Sequence, residues 1–145
     1  MNSKVVHIGK GKDTLQEIPK PPGYLSASAK KHYLQMAKKL MKIERLKETF
    51  LPALEIYAEA MAQFEFAVRE IKDKNREEYG TGYIQVFRTG AANVTAEVSL
   101  KNNAEATLLK CFKQFGLDPR SEKELKVETN QLSFGFEELA KSLNS

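Results

Sequence analysis

The sequence has little of the material from which catalytic and metal sites are usually built. It contains one cysteine, two histidines and no tryptophan. Its aspartates are few and far apart, at Asp13, Asp73 and Asp118. A single cysteine excludes an intrachain disulfide and is typical of proteins from a reducing compartment. The sequence therefore predicts no catalytic residue, no metal site and no cofactor.

Motifs that mark phosphate and zinc sites are missing as well. The run Gly9–Lys12 lacks the spacing and the following hydroxyl of a phosphate-binding loop, and neither C-x-x-C nor H-E-x-x-H occurs. His32 is expected at the surface of a charged helix, and Cys111 is expected to be an inert packing thiol. One enzymatic alternative stays open, in which glutamates of the second helix hold the metal ions of a nuclease.

Long hydrophobic runs are also absent. No segment approaches the roughly 20 apolar residues that a membrane helix needs. Residues 1–13 lack the apolar stretch of a secretory signal. We therefore expect a soluble cytoplasmic protein that makes no membrane contact.

The composition divides the chain into an arm, a core and a tail. Lysines, paired glycines and three prolines in residues 1–23 predict a flexible basic arm. Residues 24–126 are predicted to form a single helical core. In the tail, residues 127–145, three apolar residues have the spacing of a short helix that docks in a partner's groove: Phe136, Leu139 and Leu143. Packing of that helix on its own domain is the alternative.

The first helix is predicted to begin at Ser26 or Ser28, either of which can cap it. One stripe of this helix is apolar and includes Tyr33, Leu34, Ala37, Leu40 and Met41. The other side is basic and carries Lys31, Lys38, Lys39, Lys42 and Arg45. Because such a row can track DNA phosphates through counterion release, we predict that these five basic residues bind DNA. A solvated helix face that binds nothing is the alternative.

The second helix is predicted to start near Glu48 and to run to about Lys74, with Pro52 in its first turn. Its apolar stripe consists of Phe50, Leu54, Tyr57, Met61, Phe64, Val68 and Ile71. Glutamates make the opposite face acidic, and Phe66 is the one aromatic residue there. A helix of roughly 40 Å is longer than a small domain covers, so the stripe is predicted to be an oligomer interface. A simple helical hairpin with Phe66 exposed is the alternative.

A β-hairpin is predicted over about residues 82–99. Two segments, Tyr83–Phe87 and Val94–Val98, are rich in β-branched and aromatic residues, and turn formers separate them. A two-stranded hairpin is marginal on its own, so it must pack on the helices or on neighbouring subunits.

Two further helices are predicted after the hairpin. Asn102 and Glu105 indicate the start of a third helix, and Gly116 its left-handed end. The apolar face of this helix comprises Leu108, Leu109, Phe112 and Phe115. Asp118 followed by Pro119 predicts a short fourth helix. The expected fold is mainly α, with two long helices, a small β-hairpin, a third helix and a short fourth helix.

Three segments together resemble the phage terminase small subunit family. They are PKPPGYLS at residues 19–26, LPALEIYAEA at residues 51–60 and FGLDPRS at residues 115–121. The resemblance covers roughly Pro19 to Lys126. It implies a ring-forming homo-oligomer in the cytoplasm of a bacterial host. It further implies that this ring recognises double-stranded viral DNA and recruits and regulates the large terminase subunit, which carries the ATPase and the nuclease. A structural head-assembly adaptor without DNA binding is the alternative function.

Overall fold

A computed structural model describes residues 13–118 of the chain. Three helices and a two-stranded antiparallel hairpin make up this part. The elements are α1 (Ala27–Lys42), a 3₁₀ turn (Glu48–Phe50), α2 (Leu51–Glu77), β1 (Ile84–Val86), β2 (Ala92–Val94) and α3 (Ala96–Gln114). The predicted mainly helical fold with one hairpin is therefore confirmed. The predicted fourth helix lies outside the described residues.

Helix α1 begins as its sequence predicts. The Ser26 hydroxyl accepts a hydrogen bond from the Ala29 amide at 3.1 Å and so caps the helix. The apolar stripe faces inward, and Tyr33, Ala37 and Leu40 are buried. Leu34, predicted on the same stripe, lies at its edge and is exposed. The inward side of α1 thereby provides a continuous surface for packing against α2.

Helix α2 is the centre of the fold, because both α1 and α3 pack against it. Leu54 and Ala58 are fully buried in this packing. The Tyr57 ring lies 5.8 Å from that of Phe112 and 6.1 Å from that of Phe115, measured between centroids. These aromatic contacts join the first half of α2 to the last turns of α3.

Residues 13–23, predicted as the end of a flexible arm, are packed on the helices. Leu15 is buried, and its amide donates a hydrogen bond to the Leu46 carbonyl at 2.7 Å. Further along, the Tyr24 hydroxyl donates to Glu55 at 2.6 Å. This segment therefore connects two parts of the fold to the helices. Leu15 contacts the loop that follows α1, and Tyr24, just before α1, contacts α2.

The predicted second strand and the predicted start of the third helix are wrong. Strand β2 ends at Val94, and α3 begins at Ala96. Thr95 separates them, and its hydroxyl accepts a hydrogen bond from the Val98 amide at 3.3 Å. Because this cap starts the helix early, Val98 and Asn102 lie inside α3 rather than in a strand and at a cap.

The predicted apolar face of α3 is correct in part. Leu108 and Phe115 are buried, and Phe112 is partly buried against the core, but Leu109 is 61% exposed. Ala104 and Cys111 complete the buried side of the helix. None of the helices within residues 13–118 is long and apolar enough to cross a bilayer.

Helices α1 and α3 end in the same backbone motif. In α3, the Leu117 amide donates to the Phe112 carbonyl at 2.8 Å, and Gly116 has a φ of 72°. In α1, the Arg45 amide donates to the Leu40 carbonyl at 2.7 Å, and the left-handed residue is Glu44, with a φ of 57°. Both are Schellman caps, but only α3 has the glycine that this conformation favours.

This difference predicts opposite effects of substitution at the two caps. Replacing Glu44 with glycine removes the steric cost of a left-handed side chain and should raise the free energy of unfolding by roughly 0.5 kcal/mol. Replacing Gly116 with alanine introduces that steric cost and should lower the free energy of unfolding by about 1 kcal/mol. Urea unfolding followed by circular dichroism measures both changes. A destabilising Glu44→Gly substitution would contradict this account of the turn.

Candidate nucleic-acid interface

The exposed side of α1 carries a row of lysines. Lys31, Lys38 and Lys42 are exposed, and at 100° per residue they lie within about 40° of one another around the helix. Lys39, also exposed, lies on the flank of this row. The row follows from the packing, because the opposite side of α1 is buried against α2. These four side chains are the lysine row.

No acidic partner neutralises the lysine row within residues 13–118. The ion pairs of this part of the chain lie elsewhere, mainly along α2 and at the base of the hairpin. The row therefore presents uncompensated positive charge to solvent, which attracts polyanions. Lys39 and Lys42 also lie in the last turn of α1, where cations stabilise the helix dipole, so a purely structural benefit accounts for part of this arrangement.

Arg45, predicted together with the lysines, occupies a different environment. It is only partly exposed, and its guanidinium donates a hydrogen bond to the Gly116 carbonyl at 2.8 Å. The guanidinium thus lies at the C-terminal end of α3, where the helix dipole favours a cation. This hydrogen bond ties the turn after α1 to the end of α3, a role that depends on the tertiary fold.

His32 is not the surface residue that the sequence predicts. It is buried on α1, and its Nε2 lies 3.0 Å from a Glu65 carboxylate oxygen on α2. The approach is close, but within residues 13–118 the atom has no hydrogen-bond partner of good geometry. Glu65 also lies 3.9 Å from the Arg69 guanidinium. His32 therefore marks where the first turns of α1 lie against the middle of α2.

Cys111 has the environment expected of a packing thiol. It is buried, its Sγ lies 3.8 Å from the Ala53 carbonyl oxygen, and burial raises the thiol pKa. A raised pKa lowers the fraction of the reactive thiolate at neutral pH.

The glutamates of α2 mostly take part in structural contacts. Glu55 accepts from the Tyr24 hydroxyl, Glu59 accepts from the Ser26 amide at 3.5 Å, and Glu65 contacts His32. Within residues 13–118, no group of three or more His, Cys, Asp or Glu side chains is arranged to hold a metal ion.

The seven residues predicted as an oligomer interface lie largely inside the chain's own core. Three are buried: Leu54, Tyr57 and Ile71. Three are partly buried against that core: Phe50, Met61 and Phe64. Val68 is 38% exposed. Because α1 and α3 cover most of this stripe, the reasoning that a single chain leaves it uncovered is wrong, and assembly through these residues stays a prediction.

The base of the hairpin holds contacts that sequence reasoning missed. The Asn75 side-chain oxygen accepts hydrogen bonds from the Gly80 amide at 3.1 Å and the Gly82 amide at 2.9 Å. The Thr95 hydroxyl donates to the Gly82 carbonyl at 2.8 Å. Lys74 donates to Glu97 at 2.7 Å, and this hydrogen bond lowers the pKa of the carboxyl group. The one local signal was Asn75 shortly before a Gly-Thr-Gly turn.

The predicted docking residues Phe136, Leu139 and Leu143 lie outside the described residues.

The contrast between Arg45 and the lysine row yields a stability test. Arg45→Ala removes a charged hydrogen-bond donor from a half-buried site and should lower the free energy of unfolding by about 1 kcal/mol. Lys38→Ala, at an exposed position, should change it by no more than about 0.5 kcal/mol. Urea unfolding of the two variants and of the wild type measures both changes in the free energy of unfolding. Equal stability of the two variants would show that the hydrogen bond from Arg45 to Gly116 contributes nothing.

The chain also matches a known protein family. The family model described as phage terminase, small subunit, matches residues 29–131, which is more than half of the chain. No curated protein matches the chain, and no solved structure does. The match includes all of the lysine row, the hairpin and α3. The chain belongs to the phage terminase small subunit family.

Proposed function

We propose that the chain is the DNA-recognition subunit of a viral genome-packaging machine. In this proposal it assembles as a ring, binds double-stranded viral DNA through the lysine row, and recruits and regulates the large terminase subunit. It catalyses no reaction itself. The observation that carries the proposal is the row of exposed, uncompensated lysines on α1. Family membership supports it, because that family implies a role in DNA packaging.

The dimensions of the lysine row suit a DNA backbone. Lys31 and Lys42 are separated by eleven positions, or roughly 16 Å along the helix axis. This length equals the axial rise of about five nucleotides of one strand. Lysine binds a phosphate as a point charge and carries no sequence information, so the row positions the duplex without reading bases. Recognition of a packaging site then requires further residues.

Recruitment of the large subunit is assigned to the tail. The last described residues lie next to the core, where the Phe115 ring is 5.8 Å from that of Phe50. The described part of the chain therefore stops at the same end of the core as the turn between α1 and α2. We propose that Phe136, Leu139 and Leu143 contact the large subunit there, close to bound DNA.

A structural adaptor that ignores DNA is the second candidate function. The observation that favours it is the hairpin, whose strands are exposed along their whole length and expose apolar side chains. Such a surface can serve assembly in either candidate, but it is all that an adaptor needs, whereas DNA recognition also needs a basic surface. The two candidates differ in what the lysine row does.

Charge reversal in the lysine row separates the two functions. A Lys38→Glu, Lys42→Glu double variant should bind duplex DNA far more weakly than the wild type, since two attractive interactions with phosphates become repulsive. Alanine at either position should reduce the slope of log affinity against log salt by about 0.9 for each phosphate that is no longer neutralised. Fluorescence anisotropy with a labelled random-sequence duplex at several salt concentrations measures both quantities.

The matched control reverses two exposed lysines of α3, Lys110 and Lys113. This variant has the same net charge as the first, so a decrease in affinity specific to α1 cannot arise from total charge. If both double variants show the same decrease, the lysine row is not the binding surface. If the wild type does not bind DNA at low salt, the adaptor function replaces the proposed one.

A further inference from the structure

An uncharged polar side chain lies at the centre of the lysine row. Gln35 is exposed on α1, and the four lysines of the row lie at positions i−4, i+3, i+4 and i+7 from it. Residues at these spacings share one side of a helix, so the lysines surround Gln35 on the side of α1 that faces solvent. The basic surface therefore encloses an amide, a group that can both donate and accept hydrogen bonds.

The packing of the fold does not occupy this amide. Within residues 13–118, the Gln35 side chain takes part in no hydrogen bond. The contacts of α1 with the core come from its other side, where Tyr33, Ala37 and Leu40 are buried. Both the donor and the acceptor of the amide are therefore available to a ligand that the lysine row attracts.

The outward side of α1 suits the major groove of DNA. That groove is about 12 Å wide and 8.5 Å deep, and an α-helix with its side chains is about 10–12 Å across. Gln35 lies roughly 6 Å along the helix axis from Lys31 and roughly 10 Å from Lys42, so cations lie on both sides of it. When these long side chains contact phosphates at the edges of the groove, the amide between them faces the base edges.

The hydrogen-bonding groups of the amide select one base. In the major groove, adenine presents the N7 acceptor beside the N6 amino donor. A glutamine amide matches both, because its N–H donates to N7 and its carbonyl oxygen accepts from N6. Guanine presents two acceptors there, cytosine only a donor, and thymine only an acceptor beside its methyl group. Glutamine therefore makes the complete pair of hydrogen bonds with adenine alone.

We propose that Gln35 reads an adenine in the major groove while the lysine row binds the phosphates around it. The inference rests on DNA binding by the lysine row in the proposed function and adds the residue that distinguishes one base from the others. The lysines provide affinity and position α1 on the duplex, and the amide provides sequence preference. Removal of the amide should therefore change which sequences bind without changing how tightly random DNA binds.

Selection from a pool of randomised duplexes tests this separation. DNA bound by the wild type and by Gln35→Ala at the same salt concentration is recovered and sequenced. The wild type should enrich sequences with adenine at a fixed position, preferred roughly tenfold over the other bases, as one bidentate pair provides. Gln35→Ala should lose the preference at that position. Its affinity for a random-sequence duplex, measured by fluorescence anisotropy, should stay within about twofold of the wild type, because the phosphate contacts remain.

A second substitution should exchange the preference instead of removing it. Gln35→Glu replaces the amide with a carboxylate, which accepts from the N4 amino group of cytosine and cannot donate to adenine N7. The selected sequences should therefore have cytosine where the wild type selects adenine. The added negative charge weakens binding, so this variant is selected at lower salt. A glutamine that only occupies a solvated helix position would not produce this exchange.

The matched control is Gln114→Ala, at an exposed position of α3 beside Lys110 and Lys113. It should select the same sequences as the wild type, and circular dichroism melts confirm that all variants fold. A wild type that binds random duplex but enriches no sequence, or a Gln35→Ala variant with an unchanged preference, would overturn the role of Gln35 and leave the proposed function intact. A wild type that binds no duplex at low salt would refute both proposals.

Discussion

The packing of α1 and α3 against the first half of α2 is the interaction on which the rest of the structure depends. It buries Leu54, Ala58 and Leu40 completely and surrounds Tyr57 with the rings of Phe112 and Phe115. Burial of each large apolar side chain contributes roughly 1.5–3 kcal/mol. Because α1 uses its apolar side for this packing, its lysines can only face solvent. The charge of the candidate DNA-binding surface is thus a consequence of the core.

The unequal lengths of the helices explain where the other exposed surfaces lie. Helix α1 has 16 residues and α2 has 27, so α1 cannot cover the whole of α2. Contacts of α1 reach Glu65, through His32. Beyond that point α2 packs on α3, and its Asn75 side chain accepts a hydrogen bond from Gly82 at the base of the hairpin. The molecule therefore separates a basic surface on α1 from an apolar hairpin beside the end of α2.

What could be predicted from the sequence was mostly local. The Ser26 cap and the left-handed Gly116 depend on a few neighbouring residues, and both predictions are confirmed. The start of α3 was missed because Val94–Val98 has strong β propensity, and a single Thr95 cap outweighs it. Local signals compete at such a boundary, and only the full set of contacts decides between them.

What could not be predicted depends on contacts between distant segments. The inward position of His32 requires α2 beside it, and the bond from Arg45 to Gly116 requires α3 to end beside the turn after α1. Six of the seven residues of the predicted apolar stripe of α2 do face the core, but whether a neighbouring helix or another subunit covers such a stripe depends on the tertiary fold. The lysine row could be found from periodicity alone, because the outer face of an amphipathic helix follows directly from its inner face.

In the proposed function, DNA lies along the lysine row of α1. Partial acetylation of the lysines with and without duplex DNA at low salt, read by mass spectrometry, tests this placement most directly. We predict strong protection of Lys31, Lys38, Lys39 and Lys42 by DNA, and little protection of Lys110 and Lys113. Equal protection of both sets, or protection confined to α3, would contradict it.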